Sequence, residues 1–361
     1  MSTIQAVNLK NASSASNNIV LDASGNATFA GTAAMASSFL RNRIINGDMR
    51  IDQRNAGASV TPSSGTFMLD RWAYGASQAS KFTAQQNAGS VTTPVGFPNY
   101  LGMTVVSAHT VGASDSFSIY QPIEGHNFSD LGFGTANARA VTISFVVYSS
   151  LTGTFGGVLK NYASTRSYPF TYSIPSANTW TTISVTIPGD TSGTWVGASS
   201  AGAAFVQFGL GVGSTNSGPA GAWAGTNYNS ATGAVSVVGT NGATFYLTGV
   251  QLEVGTVATP FERRQIGQEL ALCQRYYEGG GYNIWSGYCN GVSTYYVSTP
   301  YKVTKRASPT LTFSGISNSG FSNTAPIVGE NQVNYFRADQ VSNAASTAGF
   351  FQFAWASSAE L

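Results

Sequence analysis

The chain has 361 residues, enough for about two domains, and only 9% of them are charged. Average soluble proteins carry roughly 25% charged residues, so hydroxyls, amides and 41 glycines stand here in place of charge. Aromatics at 12% exclude a disordered chain, the glycine content excludes a helical one, and a net charge of +2 gives no broad field for nucleic acid or an anionic membrane. What remains is an all-β chain of short strands joined by small-residue turns.

The opening MSTIQAVNLK has no apolar signal-peptide region, and no apolar run reaches the ~20 residues of a membrane span. The expectation is a protein made in the cytoplasm, with no membrane insertion. Residues 1–39 are small and polar, with single apolar residues at Ile4, Val7, Leu9, Ile19, Val20, Leu21 and Phe29. Residues 22–26 make a turn between Ile19-Val20-Leu21 and Ala27-Thr28-Phe29. Such a hairpin is marginal alone but could be held by pairing with copies of itself, so this stretch reads as an extended, self-pairing stem or as a disordered tail, and composition alone does not separate the two.

Residues 40–260 read as a β-sandwich of jelly-roll type. Period-2 alternation marks strands at Leu101, Met103 and Val105, at Phe117 and Ile119, and at Val141, Ile143, Phe145 and Val147. It recurs at Ile183, Val185 and Ile187 and at Val206, Phe208, Leu210 and Val212. Gly209 and Gly211 alternate with the last set, which lets something pack close to that face. Trp72 reads as core, and 214–233 as a long loop carrying Trp223 and Tyr228.

Residues 249–278, GVQLEVGTVATPFERRQIGQELALCQRYYE, join this sandwich to a smaller C-terminal β domain, 279–361. Thr259 as N-cap, Pro260 in the first helical position and Glu262 three residues past the cap predict a short linking helix over 261–278. Its apolar stripe is Ile266, Leu270, Cys273 and Tyr277, and residues 279–281, all glycine, stop it. The stripe is expected to pack on the smaller domain or on its own copies at a threefold axis. Strands in that domain are expected at 282–288, 294–303, 310–313, 332–336 and 350–355. The cysteines, Cys273 and Cys289, are too few for a disulfide framework and read as buried thiols.

No catalytic set stands out. His109 and His126 have no nucleophile or carboxylate placed beside them by the sequence. There is no Gly-x-Ser-x-Gly elbow and no phosphate loop, and Gly209, Gly211 and Gly213 lie in a strand with no helix after them. A glycan-cleaving site needs two carboxyls about 5–10 Å apart, and the acids here are scattered, with Asp48 and Asp52 in one segment and Asp115 and Glu124 in another. Zinc lacks paired Cys/His spacing. Arg41, Arg43, Arg50 and Arg54 cluster, but Asp48 and Asp52 interleave with them, which points to ion pairs rather than nucleic acid.

Three stretches carry a resemblance. IINGDMRIDQRNAG and the later DRW, within 44–72, resemble the opening of the first globular domain in bacteriophage tail-fibre and virion-appendage proteins. YLTGVQLEVGTVATPFERRQIGQELALCQRYY, 246–277, resembles the end of that domain and its linker, and the VNLKNAS and NNIVLDASGNATFAG stretches resemble the preceding stem. The resemblance implies a carbohydrate-binding-module-like jelly roll on a homotrimeric tail fibre of the virion. Residues 1–39 then anchor it to other virion proteins, and its outer end binds a host cell-surface glycan. A purely structural head or collar fibre without receptor binding, and a glycan-cleaving appendage, are the alternatives. Jelly rolls of this type often hold a structural Ca²⁺ between opening and closing strands, where Asp48 and Glu253 are the matching residues, but two acids without a calcium-loop signature are not a site, so both are read first as ordinary strand-edge polar residues and no cofactor is expected.

Sugars stack C–H faces on aromatic rings while their hydroxyls bond amides and hydroxyls. That chemistry makes Trp223, Tyr228, Trp285, Tyr288, Tyr295 and Tyr296 the glycan-binding candidates. Tyr295 and Tyr296 are adjacent on a strand, so one faces the core and the other is free.

Overall fold

A computed structural model describes residues 8–9, 19–21, 27–29, 41–321, 325–343 and 346–361. The chain divides into two compact units, Met1–Arg41 and Asn42–Leu361. In the first, β1 (Asn8–Leu9), β2 (Ile19–Leu21) and β3 (Ala27–Phe29) form an antiparallel sheet in that order. Ile19 stands opposite Phe29 and Leu21 opposite Ala27, so the two apolar triplets pair as expected. The turn at 22–26 lies outside the described residues.

The second unit begins with β4 (Phe67–Leu69), β5 (Trp72–Ala76), β6 (Phe82–Gln86), β7 (Leu101–Val105), β8 (Ser116–Glu124) and β9 (Val141–Ser149). Next come β10 (Gly153–Asn161), β11 (Ser167–Ile174), β12 (Thr181–Ile187), β13 (Gly202–Val212), β14 (Ser217–Gly218), β15 (Ser230–Ala231) and β16 (Thr244–Val254). Apart from β14 and β15, which pair with each other, they stack as a jelly-roll sandwich of two sheets, ordered β11-β10-β13-β8-β5-β4 and β12-β9-β16-β7-β6. Alternate residues of both sheets meet in one core that includes Trp72, Phe117, Ile119, Phe145, Phe155, Phe208 and Leu252. Trp72 is fully buried and its indole N–H bonds the Asn46 carbonyl, so the ring fills core volume with no donor left unpaired.

The opening segment closes on β16. The Arg43 N–H bonds the Leu252 carbonyl and the Val250 N–H bonds the Gly47 carbonyl. At Gly249 the backbone bulges at φ 62°, a region costly for any residue with a Cβ, and a Cβ there would also strike the Phe97 ring.

The linking helix is shorter than the capping box implies. Helix α1 spans Ile266–Gln274, starts at Gln265 and has no side-chain cap. Thr259 is not its cap: the Thr259 N–H (2.8 Å) and hydroxyl (2.6 Å) both donate to Glu253. Glu262 is held outside the helix too, with its carboxylate accepting the Asn42 N–H and its own N–H donating to Gln251. Bonds to β16 and to the opening segment thus took the groups that a local cap would have used. Nor do the three glycines stop the helix, since they fall inside the next strand.

That strand is β17 (Tyr277–Cys289), followed by β18 (Thr294–Pro300), β19 (Thr310–Ser319), β20 (Ile327–Asn331), β21 (Tyr335–Val341) and β22 (Ser346–Ser358). They make two further sheets, β17-β22-β19 and β18-β21-β20, around Cys289, Tyr301, Phe321, Phe336, Phe351, Phe353 and Trp355. Cys273 and Cys289 are buried free thiols.

The apolar stripe of α1 meets the end of the smaller domain, as expected, and also the opening of the jelly roll. Leu270 and Cys273 pack with Ile45 and Ile51 of the opening segment, with Tyr276, and with Leu361 at the end of the C-terminal domain. Tyr277 belongs to β17 and lies under the Arg54 guanidinium, 3.7 Å from its ring centroid. Ile266 is exposed. Part of the stripe is buried inside its own chain because the opening segment presents Ile45 and Ile51 to it.

Charged groups weld the junction. Glu360 accepts from Arg54 and Arg71, Glu124 accepts from Arg275 and from the Tyr276 hydroxyl, and Arg306 donates to the Ala359, Glu360 and Ser200 carbonyls. Beneath them Lys305 Nζ donates to Glu278 (2.6 Å) and to the Gln274 carbonyl (2.6 Å), with both ionic side chains fully buried. The jelly roll and the C-terminal sandwich therefore have separate cores within one compact unit.

Candidate functional site

In the six-stranded sheet, Phe117, Ile119, Val206, Phe208 and Leu159 face the core, so their neighbours face outward. The pairing registers align these outward residues across four strands. Gly75 sits beside Ser118 and Ala73 beside Tyr120, while Gln207 and Phe205 of β13 align with Val158 and Lys160 of β10.

Residues 214–233 lie over part of this outer face. A Cβ at Gly156 or at Gly209 would collide with Ser230, so glycine in β10 and β13 is what admits the loop. Ser167 Oγ donates to the Thr226 carbonyl and Lys160 Nζ to Asn227 Oδ1 (3.0 Å) and Asn229 Oδ1 (2.7 Å). The loop stands as a wall, and beside it lies a concavity of about 360 Å³. Its lining is Ser64, Ser77, Ser116, Ser118 and Ser164, the amides Gln207 and Asn229, the rings Tyr120 and Phe205, and Lys160, with Gly75 and Ala76.

The Phe205 ring is stacked by Tyr162 (4.7 Å, 16°) and met edge-on by Tyr120 (5.6 Å, 83°). All three are partly exposed. Gln207 Nε2 donates to Ser118 Oγ at 2.9 Å, which orients the amide on the floor. Lys160 is only 6% exposed, and burial lowers its ammonium to about 8 from the ordinary 10.5. The set offers aromatic surface, hydroxyls, amides and one cation. Among the described residues that line the concavity there is no Asp or Glu, the residue types a glycan-cleaving pair would need.

The sequence-derived aromatic candidates do not line this concavity. Trp223 is pinned among Phe133 (5.7 Å), Tyr168 (5.3 Å) and Trp195 (5.6 Å), and its N–H bonds the Pro188 carbonyl. It anchors the wall. Tyr228 lies against Gly218 in the same loop. Trp285 and Tyr295 pack on each other (4.5 Å) and on Phe321 in the C-terminal core. Tyr288 and Tyr296 are exposed, at 61% and 58%, on that sandwich. The adjacent pair thus splits into one packed and one free ring.

Asp48 and Glu253 each have protein partners. Asp48 pairs with Arg50 at 2.5 Å, and Glu253 accepts from Thr259 and Gln251. No three His, Cys, Asp or Glu side chains group to hold a metal among the described residues. His109 does have a carboxylate beside it, contrary to the sequence reading: Asp115 Oδ2 lies 2.7 Å from His109 Nε2. That bond, with those from Gly112 N–H and Ser77 Oγ, lowers the Asp115 carboxyl to about 2. Because Ser77 donates to Asp115 rather than to His109, the trio is a surface tie and not a nucleophile–base arrangement.

No protein-family model matches the sequence, and no curated protein matches it. Among solved structures, the enzymatically active domain of Bacteriophage CBA120 tailspike protein 4 matches at 12% identity and TM-score 0.34, over 59% of this chain and 21% of that one. This chain thus spans about a fifth of the tailspike's length. The family 11 carbohydrate-binding module from Clostridium thermocellum, in complex with a β-1,3-1,4-mixed-linked tetrasaccharide, matches at 11% identity and TM-score 0.27, over 56% of this chain and 98% of the module. TmCBM61 in complex with β-1,4-galactotriose matches at 9% identity and TM-score 0.30, over 60% of this chain and 100% of that one. At these scores the likenesses carry no weight, and the jelly-roll assignment rests on the two antiparallel sheets themselves.

Proposed function

We propose that this chain is a non-catalytic, glycan-binding subunit of a homotrimeric virion fibre. Residues 1–39 attach it to its copies and to other virion proteins, and the outer face of the six-stranded sheet takes a host-surface saccharide. The observation that carries the binding reading is the concavity beside the wall. Its hydroxyls and amides suit sugar hydroxyls, and Tyr120 and Phe205 suit a pyranose face. The absence of carboxylates from its lining favours binding over cleavage. The fibre reading is supported by the stretches at 44–72 and 246–277 and by the strand-paired stem. Three copies on one fibre gain about 10²–10⁴-fold in avidity over a weak single site.

The test is calorimetric titration of bacterial surface polysaccharides into the wild type and Tyr120→Ala, with sedimentation of the free protein. Saccharide binding that falls about tenfold in the variant is expected, together with a species of three chains. Sedimentation as a monomer at micromolar concentration removes the fibre reading. Release of short oligosaccharides removes the non-catalytic one, and absence of binding to every polysaccharide removes the glycan.

A further inference from the structure

Among the described residues that line the concavity, Lys160 is the one charged side chain. It projects from β10 on the outer face, paired in register with Phe205, and its Nζ lies 5.5 Å from that ring's centroid. Its hydrogen-bond acceptors, Asn227 and Asn229, are neutral. Among the described residues no carboxylate lies within ion-pair distance of it. Other buried cations in the molecule are answered: Arg71 by Glu360, Arg264 by Glu269 and Lys305 by Glu278.

Burying an ammonium without a counter-charge is costly, and the depressed pKa of Lys160 expresses that cost. Fastening the wall does not require it, because a neutral amide or hydroxyl could donate to the same two asparagines at less expense. An ammonium carries three N–H donors, and two are used. The third, at the edge of an open concavity rich in neutral donors and acceptors, is suited to a singly charged acceptor brought from outside.

We propose that the saccharide bound on this face is acidic and that its carboxylate, from a uronic or sialic acid unit, pairs with Lys160 beside Asn229 while a neighbouring ring lies on Tyr120 and Phe205. This rests on the glycan reading above and narrows it to one chemical class. Lys160 then serves as a specificity residue: it selects the charged unit, and the aromatic end of the concavity supplies contact that does not depend on charge.

The test uses the full chain and matched polysaccharides: polygalacturonate, alginate, hyaluronan and polysialic acid, each with its carboxyl-reduced counterpart. Binding is measured for the wild type, Lys160→Met, Lys160→Arg and Tyr120→Ala, with circular dichroism to confirm that each variant is folded. The expected result is that at least one acidic member binds. Its carboxyl-reduced form and Lys160→Met should each weaken that binding about tenfold or more, with Lys160→Arg retaining part of it. Tyr120→Ala should weaken acidic and reduced forms by similar factors. Equal binding of acidic and reduced forms, unchanged in Lys160→Met, overturns the acidic ligand and leaves glycan binding standing. Failure of every acidic member to bind the folded wild type overturns the proposal outright.

Discussion

Lys305 at the junction and Lys160 on the sheet face are both withdrawn from water, but their surroundings treat them differently. Lys305 meets Glu278 and a helix-end carbonyl in a space closed on all sides, with both ionic side chains at 0% exposure. Lys160 meets only amide oxygens and borders a concavity. The junction is electrically complete without any partner, whereas the sheet face carries an uncompensated charge. That contrast separates a device that holds two β units together from one arranged to receive something.

The largest expected effect breaks the complete member of the pair. Lys305→Met strands the Glu278 carboxylate in the interior and should cost about 3–5 kcal/mol of unfolding free energy in urea titration. A loss below about 1 kcal/mol would show that water reaches the junction. Leu270→Asp sets a second carboxylate near Glu269 and against Ile45 and Ile51, and should cost about 2–3 kcal/mol.

Lys160→Met should behave in the opposite sense. The folded ammonium titrates at about 8 against 10.5 for the free side chain, so between those values the unfolded chain holds more protons. Wild-type stability should therefore rise across that window, while the cost of roughly 3 kcal/mol is fully present at neutral pH. Part of that cost should be recovered in Lys160→Met, and its stability should lose this rise with pH. A variant less stable than the wild type by more than about 2 kcal/mol would make the lysine a structural tie.

The same titration predicts that binding of an acidic saccharide declines as pH rises through about 8. Tyr120 also lines the concavity, and burial pushes its phenol up, so it offers an anion no counter-charge. The smallest effect is expected at Tyr296, exposed on the C-terminal sandwich with Arg337 5.3 Å over its ring. Tyr296→Ala should shift stability by no more than about 0.5 kcal/mol and leave saccharide binding unchanged.

Strands with unbroken alternation were legible in the sequence. β9, β12 and β13 appear where Val141, Ile183 and Val206 begin their runs, because period-2 burial leaves a local mark. β10 and β11 left none. Gly156 and Gly157 look like turn punctuation in sequence, yet they are strand positions where Ser230 and Phe170 come too close for a Cβ. Pro169 in β11 hides the strand further, although the outer edge of a sheet tolerates it. The candidate site was illegible for the same reason. Lys160 gains its meaning from pairing with Phe205 and from a wall some seventy residues further along the chain. Trp223 misled because an aromatic ring in a glycine-rich loop suggests exposure, when the ring is what fastens the loop down.

The wall also bears on how such a molecule changes over time. It leaves β13, crosses the sheet face over glycines, is pinned by Trp223 at one side and returns before β16. Its segment 224–229 is tied back to the sheet through Ser167 and Lys160, so a change at Asn227 or Asn229 reaches both the footing of the wall and the lining of the concavity. If the face takes a saccharide as proposed, a shift in preference has to pass through residues that also hold the loop in place, and the wall can vary only in step with the strands beneath it.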